Sequence, residues 1–452
     1  MRRLLLLAAF LFFAAGVNIY SQTMVNPGDG TLSTAIAAAN SGDVLQLVPG
    51  AEYTESTLFN LGTLHKAITI ELADPTATQK AVVKVLASDG GTTVPNFFMI
   101  GDSGSISLSG IEFDGTQNGA ATVNHLVQVT VGTTTDSGFV HKISVDNCFV
   151  HDLTGNVIDA SNSTLKGIMV VDTVLINNCI FHNTYTSAYM KTAGCDYIKV
   201  TNSTFYDMNS YGLRVAGPGE SGWYNHTAGA LIDHTTWYNI GGTDPREVIL
   251  LEKGPNLNPW TVTNTIIQNQ NSTSKTVINI KMLTDTTMQN VSNVCLWQVG
   301  KVTWNGGTIK DTITMDPQFA DPTKGDFTLP KGSILLTYGT DGKAIGDPRW
   351  ATNGPTAVEN VHNVPAKFEL SQNYPNPFNP STQINFSLQK SGMTSLIVYN
   401  LLGQEVATLI KGNLTAGQHS VSFNAVNLPT GVYIYKLNSS NQTFARKMIL
   451  IK

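Results

Sequence analysis

Charge is scarce in this chain. Of its 452 residues only 13% are Asp, Glu, Lys or Arg, and the net charge is −5. There is no basic stripe of the kind that gives nucleic-acid-binding proteins their electrostatic footprint, so that class of partner is excluded. Cysteine is also sparse. Cys148, Cys179, Cys195 and Cys295 form no Cys-x-x-Cys and have no paired histidines at ligand spacing, which argues against a zinc or redox motif. After the first 17 residues no apolar run is long enough to cross a bilayer. The closely spaced hairpin turns that define propeller blades are missing too.

What is present in quantity is glycine (40 residues), together with Asn and Thr. This composition suits a long β structure with many turns and an uncharged surface. One pattern then dominates the middle of the chain. It reads Asn147-Cys-Phe-Val-His-Asp152, Asn178-Cys-Ile-Phe-His-Asn183, Asn202-Ser-Thr-Phe-Tyr-Asp207 and His234-Thr-Thr-Trp-Tyr-Asn239. Looser copies follow at Asn264–Asn269 and Asn293–Gln298, and all starts lie 24 to 32 residues apart. Recurrence at that period marks a solenoid, in which no copy buries its apolar face alone.

Alternating apolar residues precede each copy, as in Ile143-x-Val145, Ile198-x-Val200 and Trp260-x-Val262, which is the period of a half-buried strand. The expected fold is all-β, a right-handed parallel β-helix. The first Asn of each copy would sit at a bend, tolerate the left-handed conformation and join a ladder with its neighbours. Val150, Phe181, Phe205, Trp237, Ile267 and Leu296 would stack inside. Cys148 and Cys179 hold the same place in consecutive copies. At a coil spacing of about 4.8 Å they could form a disulfide or pack as two buried thiols.

The first residues, Met1-Arg-Arg followed by the apolar run Leu4–Val17, have the parts of a signal peptide, taken here as 1–21. Residues 28–40 read as an Ala-rich helix capped by Thr31 or Ser33 and stopped at Asn40-Ser-Gly42, a lid for the first coil. The stretch from Gly42 to Tyr53, Gly-Asp-x-Leu-x-Leu-x-Pro-Gly-x-x-Tyr, resembles the opening of pectate-lyase-like β-helices. The segment from Asp316 to Trp350 resembles the close of β-helix domains in exported polysaccharide-lyase-like proteins of Bacteroidota, some related to chondroitinase B and alginate lyases. The β-helix domain is therefore placed at 22–350. A linker with Gly354-Pro355 and Pro365 follows at 351–366.

Residues 367–452 contain Asn373-Tyr-Pro-Asn-Pro-Phe-Asn379, Leu401-Leu-Gly-Gln-Glu405, Leu428-Pro-Thr-Gly-Val-Tyr433 and a terminal Lys447-Met-Ile-Leu-Ile-Lys452. In this order they resemble the C-terminal sorting domain of the type IX secretion system. That resemblance implies a small β-sandwich, the secretion machinery as a partner, and a location in the medium or on the cell surface. No membrane span is expected in the mature protein, and a monomer is expected.

Chemistry would lie on the other strand of each coil. Aligning Val157-Ile-Asp159, Tyr189-Met-Lys191, Gly212-Leu-Arg214, Leu250-Leu-Glu252 and Asn279-Ile-Lys281 puts the central residues inside and the last ones outside. The outward row then reads Asp159, Lys191, Arg214, Glu252, Lys281, beside a second column of Tyr189, Gly212 and Asn279. Trp223, Tyr224 and Trp260 would rise as an aromatic wall along it. Aromatic faces beside cations suit an acidic polysaccharide.

The expected reaction is β-elimination from a uronic acid. Arg214 would neutralise the carboxylate, and Lys191 or Lys281 would remove the adjacent proton. Tyr189, Trp223, Tyr224, Trp260 and Asn279 would contact the sugar. Asp159 and Glu252 are the candidate Ca²⁺ ligands, in a site that needs six to eight oxygens. The chondroitinase-B-like arrangement, Glu-x-x-Ile-Ile-x-x-Lys and then Arg-His-Gly, is not matched by Glu247-Val-Ile-Leu-Leu-Glu-Lys253 or by Asn279-Ile-Lys281. The alternative reading is a non-catalytic glycan-binding or adhesin β-helix whose row of charges is a self-satisfied ladder.

Overall fold

The computed structural model describes residues 21–55, 63–86, 94–117, 119–130, 138–161, 169–191, 194–216, 229–252, 260–272, 275–281, 289–300, 309–351, 369–373, 375–388, 392–414, 417–426, 428–439 and 442–451. All but Ser21 of the expected signal peptide and all but Ala351 of the expected linker lie outside them. The chain divides into two compact units, 1–357 and 358–452.

The first unit is a parallel β-helix. Successive coils pair strand on strand in parallel, as in Gly194–Met208 with Gly229–Ile240, and the latter with Trp260–Gln270. The six-residue motif explains why each coil turns where it does. Its first residue is left-handed in all six copies, from Asn147 (φ 49) to Asn293 (φ 54), including His234 (φ 51). Its last residue, expected only as part of the motif, is left-handed as well: Asp152, Asn183, Asp207, Asn239, Asn269 and Gln298. Asn and Asp accept this conformation at lower cost than other side chains, so the motif is a short strand with a corner at each end.

The corners are tied together between coils. Asn178 Nδ2 donates to Asn147 Oδ1 at 3.3 Å, and Asn269 Nδ2 to Asn239 Oδ1 at 3.4 Å. Between the corners the expected stack is present. Val150, Phe181, Phe205, Trp237, Ile267 and Leu296 lie in register from coil to coil, all fully buried. Phe205 and Trp237 stack with centroids 4.0 Å apart, and Trp237 Nε1 donates to Thr235 Oγ1 at 2.8 Å. Cys148 and Cys179 are buried free thiols, as are Cys195 and Cys295.

Helix α1 (Thr31–Ala38) covers the first coil with Leu32 and Ile36. Its cap differs from expectation. Gly30 is the N-cap residue, and Thr31 and Ser33 donate their hydroxyls backward to the Gly28 and Gly30 carbonyls. Buried Glu55 from the next coil accepts the Ser33 N–H at 3.1 Å instead, a negative charge at the positive end of the helix. Lys66 Nζ serves the other end, donating to the Ile36 and Ala39 carbonyls.

The closing segment returns along the outside of the coils. Trp350 Nε1 and Thr204 Oγ1 lie 2.7 Å apart, buried Asp347 accepts from Thr204, and Arg349 Nη2 donates to Asn178 Oδ1 at 3.0 Å and to the carbonyls of Cys179 and Asn202. Phe327 sits edge-on to Tyr206, Tyr238 and Trp350.

The second unit is a small sandwich of antiparallel sheets. One holds Glu369–Leu370, Ser381–Leu388 and Gly417–Asn424, the other Gly392–Tyr399, Glu405–Leu414, Gly431–Ser439 and Gln442–Leu450. Its core includes Phe378, Phe386, Leu396, Tyr435 and Met448.

Candidate functional site

Seven parallel strands form the sheet on which the charged residues fall: β1 (Val94–Ile100), β2 (Val123–Val129), β3 (Ile158–Asp159), β4 (Ala188–Met190), β5 (Leu213–Ala216), β6 (Ile249–Glu252) and β7 (Ile278–Lys281), adjacent in that order. Ile158, Met190, Leu213, Leu251 and Ile280 are all fully buried, as expected. The expected column is nevertheless wrong by two residues at several strands. Asp159 lies opposite Tyr189, Tyr189 opposite Arg214, Arg214 opposite Leu250, and Leu250 opposite Asn279. Glu252 is opposite Ala216 and Lys281, and Lys191 follows Met190 into that same second column. A slip of two keeps every side chain on its face, which is why the inward residues were read correctly and the column was not; Asp159, expected on the outside, is buried at 3% exposure.

The register separates several residues expected together. Asp159 and Glu252 are three strands apart, about 14 Å at the spacing of a sheet, so they cannot share one ion. Lys191 and Lys281, the alternative bases, are likewise three strands apart, one and two strands from Arg214 respectively. Trp260 is not part of a wall. It begins the strand Trp260–Gln270, 1% exposed, and fills core beside Ala230. Gly212 points inward, where a Cβ would come 2.7 Å from the Trp237 ring. Trp223 and Tyr224 lie outside the described residues, as does the Lys281 side chain. Lys191 is exposed.

What the sheet does assemble is a cluster around Arg214. Its Nη1 donates to the Tyr189 hydroxyl at 2.9 Å and lies 3.5 Å from that of Tyr211, and its Nη2 pairs with Glu252 at 3.0 Å. The guanidinium carbon is 5.3 Å from the Tyr189 ring centre and 5.2 Å from that of Tyr211, within cation–π range. Buried Nε has no partner among the described residues. Burial pulls the Arg214 pKa down, but Tyr189, Tyr211 and Glu252 outweigh it and hold the group above its usual value. Burial pushes the Tyr211 hydroxyl up.

Arg246 approaches Tyr211 as well, 5.7 Å from the ring centre, with Nε 2.9 Å from Asp244. Buried Glu247 accepts from Asn279 Nδ2 at 3.3 Å. Neither Tyr211 nor Arg246 was identified from the sequence. The available signal was Arg246-Glu247, a charged pair set directly before an apolar strand in a chain poor in charge.

Toward β1 the same face carries a buried polar cluster centred on Asp159. Asn156 Nδ2 and Ser161 Oγ donate to Asp159 at 2.7 and 2.8 Å, and His125 Nε2 is 3.9 Å from it. Burial holds His125 below the usual histidine pKa against the pull of Asp159.

Among the described residues, the group whose ligand atoms converge most like a metal site is elsewhere, at Asp114, His151 and Asp152. These groups already satisfy one another. His151 Nδ1 meets Asp152 at 2.7 Å and Nε2 meets Glu112 at 3.3 Å, while Asp114 Oδ1 accepts from Thr116.

Residues 230–350 match a family described as a domain of unknown function, DUF5123. Residues 372–452 match the secretion system C-terminal sorting domain. A search of curated proteins found no match. The solved structures that resemble the chain include two of an alginate lyase. One is a mutant of the PL6 family alginate lyase AlyGC, with 20% identity over 66% of this chain and 38% of that one and a TM-score of 0.43. The other is AlyGC itself, with 17% identity over 65% and 39% and a TM-score of 0.42. This chain spans about two fifths of the length of either. The C-terminal unit is a type IX secretion sorting domain, and it directs the protein to the cell surface or the medium. No helix among the described residues is long and apolar enough to cross a membrane.

Proposed function

We propose that the exported β-helix binds an acidic polysaccharide across β3 to β7 and cleaves it by β-elimination. Arg214 holds a uronate carboxylate and spreads the negative charge that develops when the neighbouring proton leaves. Lys191, directly after the strand beside Arg214 and two positions beyond Tyr189, accepts that proton. The electron pair forms the new carbon–carbon double bond and expels the glycosidic oxygen. Tyr189, its hydroxyl fixed by Arg214, protonates the departing oxygen. The partly exposed ring of Tyr189 gives a sugar an apolar face to lie against. The observation that carries this reading is the half-buried Arg214, walled by two tyrosines and aligned by hydrogen bonds to Tyr189 and Glu252.

One observation favours a second reading. Glu252 already balances Arg214 at 3.0 Å, which suits a surface that binds glycan hydroxyls without reacting. Incubation with alginate, pectate and chondroitin separates the two. Ultraviolet absorbance from an unsaturated uronate on any of them supports the lyase. Retention on a glycan gel with no such product supports the binding module and rules the lyase out.

A further inference from the structure

We infer that Arg246 forms a second anion subsite beside Arg214, so that the ligand is a polymer presenting two carboxylates within about 11 Å of each other. The inference rests on the acidic-glycan reading above and does not require elimination. Arg214 and Arg246 both approach the ring of Tyr211, at 5.2 and 5.7 Å, so their charges lie no more than about 11 Å apart. One or two pyranose units cover that distance.

The two arginines are held differently. Arg214 is half-buried and engaged at both terminal nitrogens, by Tyr189 and by Glu252. Arg246 is 39% exposed and engages Asp244 through Nε. A guanidinium held by one edge keeps its terminal N–H groups for a planar carboxylate, the geometry that favours bidentate pairing. Asp244 is itself fixed by Ser210 at 3.0 Å and Tyr185 at 3.3 Å, so the arginine is anchored from below.

The carboxylates around this pair are Asp244, Glu247 and Glu252. Glu247 is buried under Asn279 and Glu252 is committed to Arg214. The exposed positive edge is therefore that of Arg246, with Lys191 on the far side of Arg214. A single monosaccharide could engage Arg214 without reaching Arg246, so the second subsite makes a prediction about length and spacing.

The test uses the full chain and measures binding to three probes: an oligouronate with a carboxylate on every sugar, an oligosaccharide of equal length with a single carboxylate, and a neutral oligosaccharide of equal length. The wild type should prefer the first over the second by about tenfold. Arg246→Gln should abolish that preference, and Arg246→Lys should restore part of it because charge is kept and the planar fork is lost. Unchanged thermal unfolding of both variants shows that the change is in binding. Equal wild-type affinity for the first two probes, or a preference that survives in Arg246→Gln, overturns the subsite. Equal affinity for the neutral probe overturns the acidic-glycan reading as well. An Arg246-dependent preference without any unsaturated product upholds the subsite and rejects only the lyase.

Discussion

The ring of Trp237 lies against the backbone of Gly212, 2.7 Å from where a Cβ would stand, and the Val248 carbonyl is 2.6 Å away on the same side. A buried tryptophan thus fixes the chain between Tyr211 and the strand that carries Arg214. Gly212→Ala must shift that strand or the indole. It should cost about 1–3 kcal/mol in denaturant unfolding, the usual penalty for overpacking. A neutral result would mean that the coil yields freely at this point.

Arg349 is the pin of the closing segment. Replacing it with Ala removes its bonds to Asn178, Cys179 and Asn202 and leaves buried Asp347 without its ion partner. The expected loss is about 3 kcal/mol, typical of a broken buried pair, with faster proteolysis within 316–350. Arg349→Lys should recover little, because one ammonium cannot reach all of these acceptors.

The four thiols should be inert in the folded protein. Burial pushes Cys148 up to about 11 and both Cys195 and Cys295 up to about 12, and holds Cys179 well above the usual thiol value. Thiolate is the reactive form. A thiol reagent should label none of them in the native state and all four after unfolding under non-reducing conditions. Recovery of only two on unfolding would reveal a bridge between Cys148 and Cys179.

His151 should make stability depend on pH. Burial acts to lower its pKa, but hydrogen bonds to Glu112 and Asp152 and the charge of Asp114 outweigh this and raise it. A histidine raised in the folded state stabilises fully below its unfolded pKa, near 6.5, and the contribution is lost as pH rises through the folded value. The gap in thermal midpoint between wild type and His151→Gln should therefore be widest in mild acid and narrow on the alkaline side. A constant gap would mean that the proton plays no part.

Much of the fold was legible because the motif combines two signals. Asn or His at its start and Asp or Asn at its end permit left-handed corners, and Val, Phe or Trp between them must be buried. The site was legible only in part. Strands β3 to β6 hold two to four residues each, too few to fix their pairing from sequence, and a slip of two leaves the apolar residues inside. Arg214 was found because it is a charge beside a buried Leu. Trp260 was misplaced because a stretch rich in Gly, Pro and Asn precedes it in the sequence, although its alternation with Val262 already marked it as inward. Arg246 was missed because it lies before its strand and reaches the site only through the packing of Tyr211.

The most direct test of the account is the yield of unsaturated uronate from wild type, Arg214→Ala and Lys191→Ala on whichever acidic glycan the wild type cleaves. The account predicts that each substitution lowers the rate by at least about 100-fold while the protein stays folded. Wild-type rates in both variants, or no product from the wild type on any acidic glycan, would contradict it.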